Sequence, residues 1–191
     1  MENKNTNLIT DEMSQSIIKT AEKIVTRDGS DDLTVRKILQ EMNITNRVFY
    51  NRFRNIDEVL ETVYNNTIMK VRKSLEMEYD GKQDFFEFVT DLVANALIKS
   101  YDKKKKFNQY VFENDSLSQY NHEWYIDRIK GLFAYAKQRN LIKDIDEDSL
   151  SYAIWCFCRG FNADAVMRLS KEEAVKRIKY SFSILLDGLR K

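Results

Sequence analysis

Basic side chains that could bind phosphate are concentrated in one short segment near the start of the sequence. Between residues 33 and 56, five basic residues stand against the single acid Glu41, which gives the segment a net charge of +4. The basic residues are Arg36, Lys37, Arg47, Arg52 and Arg54. The whole chain of 191 residues carries a net charge of only +1. Because lysine and arginine neutralise backbone phosphates, this segment is where contact with a nucleic acid is expected.

Residue patterns that would support catalysis or metal binding are not found. The sequence has one histidine, His122, without a second histidine at zinc-helix spacing, and it has neither a Gly-rich phosphate loop nor a nucleophile elbow. Cys156 and Cys158 lie two apart in an apolar helical pattern, where their side chains point about 200° apart. We therefore expect two buried, unreactive cysteines and a protein that is not an enzyme and holds no cofactor and no metal.

The composition indicates helices as the elements that position this basic segment. The chain contains no proline and 5 glycines, whereas average usage predicts about nine or ten prolines, and sheet proteins need frequent turn residues. Apolar residues make up 43% of the chain, enough for a core. The longest apolar run, residues 153–158, is far shorter than the roughly 18 residues of a membrane span, and the start lacks a signal-peptide pattern. We expect an all-α, soluble, cytoplasmic protein without a membrane partner.

Helix signals divide the basic segment and its flanks into four helices. The first helix ends at Asp28-Gly29, the second runs from a Thr34 cap to Asn43, and the third is predicted over 46–53 after Thr45. Asn55 then caps a longer fourth helix. Two short helices joined across 43–45 and braced by a helix on each side form a helix-turn-helix module.

The module resembles the TetR family of bacterial transcriptional regulators. The family pattern is Thr-Val-Arg-x-Ile, then Gly-Val-Ser, then Leu-Tyr-x-x-Phe-Lys-x-Lys-Glu-x-Leu. The matching stretches are Leu33-Thr34-Val35-Arg36-Lys37-Ile38, Asn43-Ile44-Thr45, Val48-Phe49-Tyr50-Asn51-Arg52-Phe53-Arg54-Asn55 and Asp57-Glu58-Val59-Leu60. The likeness covers roughly residues 15 to 65. It implies an N-terminal DNA-binding domain over 1–65, including an N-terminal arm, and a larger helical domain for effector binding and dimerisation over 66–191.

The resemblance also implies roles for individual residues of the module. Thr34 and Thr45 would cap the starts of two helices, where a phosphate can dock against the positive helix end. Arg36 would reach either a base or a phosphate. Three residues that open the third helix would face base edges in the major groove: Asn46, Arg47 and Val48. Three residues that follow would contact phosphates: Tyr50, Asn51 and Arg54. Asn43 and Arg47 stand where the family often has glycine, so the operator sequence of relatives does not carry over.

The remaining helices are predicted over 83–101, 105–114, 117–139, 147–169 and 171–189, with a break at 114–116 and a solvated bend at the lysines 103–106. Seventeen of the 23 aromatic residues fall between Tyr79 and Phe161. Core packing accounts for much of this excess, and some of these rings could instead face a cavity that binds a ligand. The candidates for an apolar or aromatic effector are Phe88, Tyr101, Phe107, Tyr110, Trp124, Tyr125, Trp155 and Phe161. Ordinary core packing is the alternative for each of them. Arg128, Arg159 and Arg168 could pair with an anionic effector, with surface salt bridges as the alternative.

Apolar stripes on the last two helices are wider than a small domain needs for its own core. The residues predicted at a dimer interface are Ala153, Phe157, Gly160, Ile178, Phe182, Leu185, Leu186 and Leu189. The resemblance implies a homodimer in which this helix pair forms a four-helix bundle. Such a dimer would present two recognition helices roughly 34 Å apart to a palindrome in double-stranded DNA.

These observations predict a regulator, most simply a repressor, that leaves its palindromic operator when a small molecule binds among the central helices. The alternative is a helical protein-binding adaptor or small-ligand-binding protein that never touches DNA. Salt dependence distinguishes the two, because DNA binding through several phosphates weakens steeply as salt rises.

Overall fold

The computed structural model describes residues 8–101 and 105–191, and within these ranges it contains nine α-helices and no strand. They are α1 (Glu12–Arg27), α2 (Val35–Met42), α3 (Asn46–Tyr50), α4 (Ile56–Leu75), α5 (Phe85–Tyr101), α6 (Lys105–Leu117), α7 (Gln119–Gln138), α8 (Glu147–Arg168) and α9 (Lys171–Asp187). The all-α prediction with an N-terminal helix-turn-helix is confirmed. The chain divides into two compact units, Met1–Lys70 and Val71–Lys191. None of the described helices has both the length and the apolar character needed to cross a bilayer.

The first unit is built around apolar side chains that all four of its helices bury completely. Fully buried members include Ile17, Ile24, Ile38, Phe49, Val59 and Val63. The predicted signals at both ends of α2 are confirmed: the Thr34 hydroxyl accepts a hydrogen bond from the Lys37 N–H at 3.2 Å, and Asn43 ends α2 in the left-handed region at φ 50°. These local signals fix α2 and the turn after it.

The third helix is shorter than the predicted range of 46–53 and ends at Tyr50. The Arg52 N–H donates to the Phe49 carbonyl at 2.8 Å, which tightens the chain into a turn. The Arg52 guanidinium donates to the Val48 carbonyl at 2.9 Å and so satisfies a carbonyl at the helix end. Arg52, one of the basic residues expected to contact a nucleic acid, is therefore used at the end of the helix instead.

Residues before α1 tie the end of α3 to the start of the chain. The Ile9 N–H donates to the Asn51 carbonyl at 2.9 Å, and the Arg52 guanidinium makes a two-pronged contact with the Asp11 carboxylate, with Nε to Oδ1 at 2.8 Å. Asp11 also caps α1 by accepting from the Ser14 N–H at 2.9 Å. One carboxylate thus orders both the start of α1 and the turn that follows α3.

The second unit packs α5 along α9 and α7 along α8, with α6 against α7 and α8. Its cores join aromatic and aliphatic side chains from these helices, among them Phe85, Phe133, Ile154 and Phe182. Several predicted boundaries are confirmed, because the Glu173 N–H donates to the Ser170 hydroxyl, and Gly81 and Asn140 adopt positive φ.

Two predictions about the second unit are wrong, and a third concerns residues partly outside the described ranges. Helix α6 continues through the predicted break at 114–116, since the Asn114 and Ser116 side chains bond to carbonyls one turn earlier, Tyr110 and Phe112. Cys156 is exposed rather than buried, because it lies on the outer face of α8. Of the lysine bend, residues 103 and 104 lie outside the described residues.

The left-handed conformation of Asn43 predicts a selective response to substitution. Asn43→Ala should lower the free energy of unfolding by about 1 kcal/mol, because a β-carbon is unfavourable at positive φ, whereas Asn43→Gly should change it little. Urea unfolding followed by circular dichroism measures both, with Gln40→Ala on the exposed face of α2 as a control that should be neutral. Equal stability of the Ala and Gly variants would contradict this conformation.

The Asp11 to Arg52 contact predicts a pH-dependent contribution to stability. Hydrogen bonds from Arg52 and from the Ser14 N–H hold the pKa of the Asp11 carboxyl well below its usual range. In the unfolded chain an aspartate carboxyl has a pKa of about 3.9. Because the pKa of Asp11 is lower in the folded state, its charge stabilises the fold fully at pH values above about 3.9. This stabilisation is lost as the pH falls from about 3.9 toward the pKa of the folded state. Asp11→Asn keeps a good cap but removes the charge.

The stability difference between the wild type and Asp11→Asn should therefore stay constant from neutral pH to about pH 5 and shrink below about pH 4. Urea unfolding of both proteins at a series of pH values measures this difference, and titration of other carboxylates cancels between the two. A difference that is the same at every pH would show that the ion pair contributes nothing.

Candidate nucleic-acid interface

Burial of one aromatic ring orients the short helix α3. Phe49 is fully buried and packs against Phe53, with ring centroids 5.7 Å apart. Its neighbours on α3 therefore point outward: Asn46 and Arg47 are exposed, and Val48 is half-buried. Tyr50, at 51% exposure, meets the Phe49 ring edge to face at 5.2 Å. The residues predicted to face DNA thus lie on the solvent side of the helix.

Two basic residues of the +4 segment have partners inside the first unit. Lys37 pairs with Asp28 at 2.8 Å, and Arg52 pairs with Asp11. The guanidinium groups of Arg36, Arg47 and Arg54 are exposed and form no ion pair with any residue that the structure describes. The structure therefore separates the basic residues that stabilise the unit from those that remain available to a ligand.

Two acidic groups near the predicted interface are paired with basic side chains. Glu41, the one acid of the segment, pairs with Arg27 at 2.5 Å. Hydrogen bonds from Arg27 and Lys37 hold the pKa of the Asp28 carboxyl well below its usual range, so this carboxylate is charged and occupied. These pairings leave three unpaired positive charges on the module, a field that favours an anionic partner.

The polar residues at the helix starts are divided between occupied and available groups. The Thr34 hydroxyl is used by its own helix, whereas the exposed Thr45 side chain makes no capping bond to α3. The side-chain oxygen Oδ1 of Asn55 accepts a hydrogen bond from the Glu58 N–H at 2.9 Å, and the Glu58 carboxylate accepts one from the Arg54 backbone N–H at 2.8 Å. This arrangement holds the backbone of Arg54 while its guanidinium stays free.

The aromatic residues predicted to bind an effector do not form a single group. Trp124, Tyr125 and Trp155 lie together, with the Tyr125 and Trp155 rings stacked at 4.7 Å. Tyr110 stacks on the fully buried Phe107 at 6.2 Å. Three others lie elsewhere in the second unit: Phe88 is buried in one core, while Tyr101 and Phe161 pack against another. The Tyr101 hydroxyl donates to the Ala165 carbonyl at 2.9 Å.

The residues predicted at a dimer interface split by exposure. Ile178, Phe182, Leu186 and Leu189 are buried within the second unit, and Phe157 stacks on Phe182 at 5.7 Å. Leu185 is partly buried against the same core. These side chains pack inside the protomer, so they have little surface left for a partner. The exposed members are Ala153 and Gly160, and a β-carbon built at Gly160 would meet no atom within 4 Å.

Sequence reasoning missed two features that the structure reveals. A cavity of about 600 Å³ lies in the first unit, lined by the segment before α1, by α1, by the turn after α3 and by α4; its lining includes Ile9, Ile18, Phe53 and Asn66. A polar cluster in the second unit joins Arg72 to Asn121, and neither residue was singled out. Both features depend on residues distant in the chain. Across residues 8–101 and 105–191, no group of three or more His, Cys, Asp or Glu side chains is arranged to hold a metal ion.

Comparison with curated proteins finds a sequence that is related over part of its length. The chain is 26% identical over 76 residues to an uncharacterized HTH-type transcriptional regulator of Haemophilus influenzae. The match covers 40% of this chain and 41% of that protein, so it spans about two fifths of the relative's length. No protein-family model matches the chain.

Comparison with solved structures extends over nearly the whole chain. A TetR-family transcriptional regulator from Pectobacterium atrosepticum superposes with a TM-score of 0.76 at 14% identity, covering 94% of both chains. A TetR transcription regulator from Haloarcula marismortui gives a TM-score of 0.74 at 14% identity, covering 94% of this chain and 99% of that one. The chain therefore has the fold of the TetR-family transcriptional regulators.

Proposed function

We propose that the protein is a TetR-family transcriptional regulator that binds double-stranded DNA through its first unit. The observation that supports this most directly is the separation of charges on the helix-turn-helix. Arg36, Arg47 and Arg54 are exposed and unpaired, while the other basic residues of the segment are held by Asp11 and Asp28. Unpaired arginines on a short, exposed helix and its flanks suit both phosphates and base edges.

Arg47 is the residue proposed to read sequence. It lies in the first turn of α3, the part of a recognition helix that approaches base edges, and its guanidinium can donate to O6 and N7 of guanine. Asn46 and Val48 flank it there. Tyr50, Asn51 and Arg54 follow at the end of the helix and are assigned to phosphates, together with Thr34 and Thr45. Arg36 on α2 is assigned to a base or a phosphate.

A homodimer is proposed to form through the outer faces of α8 and α9. On α8, Tyr152, Ala153, Cys156 and Gly160 are exposed and recur at three- and four-residue intervals, which places them on one face. On α9, Tyr180 and Ile184 are 71% and 56% exposed and lie four residues apart. Small residues allow two helices to approach closely, and the large exposed residues would lose water contact at such an interface.

Repression and release by a small molecule complete the proposal. The aromatic residues of the second unit remain the proposed effector contacts, with Trp124, Tyr125 and Trp155 forming the largest group that the structure brings together. An effector that binds one arrangement of the dimer about 5.5 kcal/mol more tightly than the other would convert a 99:1 preference into its reverse. Operator release then follows from the changed spacing of the two DNA-binding units.

Substitution of two arginines should separate base reading from phosphate contact. On the best duplex recovered from a random pool, Arg47→Ala should cost about 1–3 kcal/mol and change the preferred sequence. Arg54→Ala should weaken binding to all duplexes alike and reduce the slope of log K against log salt by about 1 per lost contact. Fluorescence anisotropy at several salt concentrations measures both effects.

Arg139→Ala, which removes an exposed arginine after α7 in the second unit, is the matched control and should leave the affinity for DNA within about twofold of wild type. If affinity were insensitive to salt, or if all three variants behaved alike, the adaptor alternative would gain support over DNA binding.

The exposed Cys156 allows a direct test of the dimer. In a dimer whose α8 helices cross near Gly160, the two Cys156 residues lie about one helical turn from the crossing, so a short bis-maleimide should join them. Burial raises the pKa of the Cys158 thiol to about 12, so this neighbour should react poorly. Cross-linking should be lost in Cys156→Ser and retained in Cys158→Ser.

Gly160→Leu should shift the protein toward monomer in sedimentation equilibrium, because the leucine side chain would enter the crossing. A protein that stays monomeric at micromolar concentration, or a dimer unaffected by Gly160→Leu, would exclude this interface.

A further inference from the structure

A small group of charged and polar side chains lies within the aromatic part of the second unit. The Arg159 guanidinium pairs with the Asp115 carboxylate at 3.2 Å, and the side chains of both are less than a fifth exposed. The Arg72 guanidinium donates to the side-chain amide oxygen Oδ1 of Asn121, and the Asn121 side chain also bonds to Asp115. The cluster therefore holds two guanidinium groups, Arg159 in contact with the Asp115 carboxylate and Arg72 acting on it only through its charge, which leaves an excess charge of +1.

Aromatic rings cover both guanidinium groups. The Arg72 guanidinium carbon lies 4.8 Å from the ring centroids of Tyr120 and Trp124. The corresponding carbon of Arg159 lies 4.5 Å from the ring of Phe112 and 5.2 Å from that of Trp155. Contacts of this kind hold guanidinium planes in fixed orientations and place flat apolar surfaces beside them.

Hydrogen bonding within the cluster is incomplete. Arg72 Nε and Asp115 Oδ1 are buried and have no hydrogen-bond partner. The same is true of Asn162 Oδ1, which lies one turn beyond Arg159 on α8. Burial raises the pKa of the Asp115 carboxyl above its usual value, although the charges of Arg159 and Arg72 act against this rise. Unmade bonds at buried polar atoms are costly, and of these three atoms only Arg72 Nε is a donor. An added hydrogen-bond acceptor that reaches Arg72 Nε would therefore bind favourably.

Solvent reaches the cluster along the α6 to α7 corner. Tyr120, which covers Arg72, is 70% exposed, and Leu117 beside it in the chain is 87% exposed. Large apolar side chains this open would gain from covering by an apolar molecule. The exposed side of the cluster is thus apolar and its buried side is cationic, the two features that an amphipathic anion matches.

We propose that this cluster is the effector site and that its ligand is a small organic carboxylate with an apolar or aromatic body. The ligand carboxylate accepts hydrogen bonds from Arg72 Nε and from Arg159, in competition with Asp115, and its body packs against Tyr120, Trp124 and Trp155. Asp115 holds the place of the ligand carboxylate when the site is empty. The inference rests on the proposed function, since it names the chemistry of the effector.

The position of Arg72 connects this site to regulation. Arg72 lies on α4, the helix that also supplies the buried Val59 and Val63 to the core of the first unit. A ligand that changes the partners of Arg72 therefore acts on a helix shared with the DNA-binding unit. The differential contacts that such a ligand makes at Arg72 are what a shift between two states requires.

The two tryptophans of the chain provide the readout, because Trp124 contacts Arg72 and Trp155 contacts Arg159. Benzoate and decanoate are titrated into the purified protein while intrinsic fluorescence is followed, beside benzamide and decanamide as neutral analogues and inorganic phosphate at matched ionic strength. At least one carboxylate should produce a saturable change that its amide does not. An amide that binds equally well, a response to phosphate alone, or no saturable change would overturn the proposal.

Variants separate the site from a merely structural cluster. Arg72→Met should weaken carboxylate binding by at least tenfold, whereas Asp115→Asn should strengthen it several-fold, because the competing charge is removed while the side-chain shape is kept. Arg139→Met, which removes an exposed arginine just after α7 with the same change in charge, should leave binding unchanged. Binding that is unaffected by Arg72→Met, or weakened by Asp115→Asn in a protein with unchanged circular dichroism, would overturn the assignment.

DNA binding is measured on the same preparations, so the two proposals fail separately. Carboxylate binding without any affinity for DNA would contradict the proposed regulator and leave the anion site standing. Salt-dependent DNA binding by a protein that takes up neither carboxylate would overturn the anion site alone.

Discussion

The first unit depends on placing a helix that is too short to form by itself. Helix α3 has five residues, and isolated helices shorter than about a dozen residues are marginal in water. Its stability must therefore come from tertiary contacts. Burial of Phe49 sets its orientation, the left-handed Asn43 sets its direction relative to α2, and the Arg52 to Asp11 pair fixes its end. The outward direction of Arg47 is a consequence of these three constraints.

Contacts within the first unit also determine the charge of the exposed surface around α3. Asp11, Asp28 and Glu41 are each paired with a basic residue of the first unit, as Asp28 is with Arg27 and Lys37. Exposed pairs of this kind contribute little to stability, so their main effect is on the field around the module. The arginines without partners then carry the positive charge that a phosphate backbone would neutralise.

Much of the fold could be predicted from the sequence because helix ends are encoded locally. Thr34, Asn43, Asn55 and Ser170 each act through atoms within a few residues, and each does in the structure what its residue type predicts. The errors arise where a distant residue decides the outcome. Arg52 ends α3 early through contacts that include Asp11, 41 positions away.

The candidate sites show the same division. The resemblance implied which residues face DNA, and all of them except the half-buried Val48 are exposed. Which arginines lack partners depends on contacts between helices. Apolar periodicity on α9 indicated a buried face, and could not distinguish a core within the protomer from an interface between two copies; Phe182 belongs to the former. The pairing of Arg159 with Asp115, 44 positions apart, has no local signature.

The central claim is that two copies of the first unit read symmetric DNA through Arg47. Selection of bound duplexes from a random double-stranded pool by the full chain tests this claim most directly. The account predicts enrichment of a palindrome whose half-sites are centred about 34 Å apart, or one helical turn, and whose preferred bases change with Arg47→Ala. Recovery of sequences without symmetry, or of no enriched sequence at low salt, would contradict it.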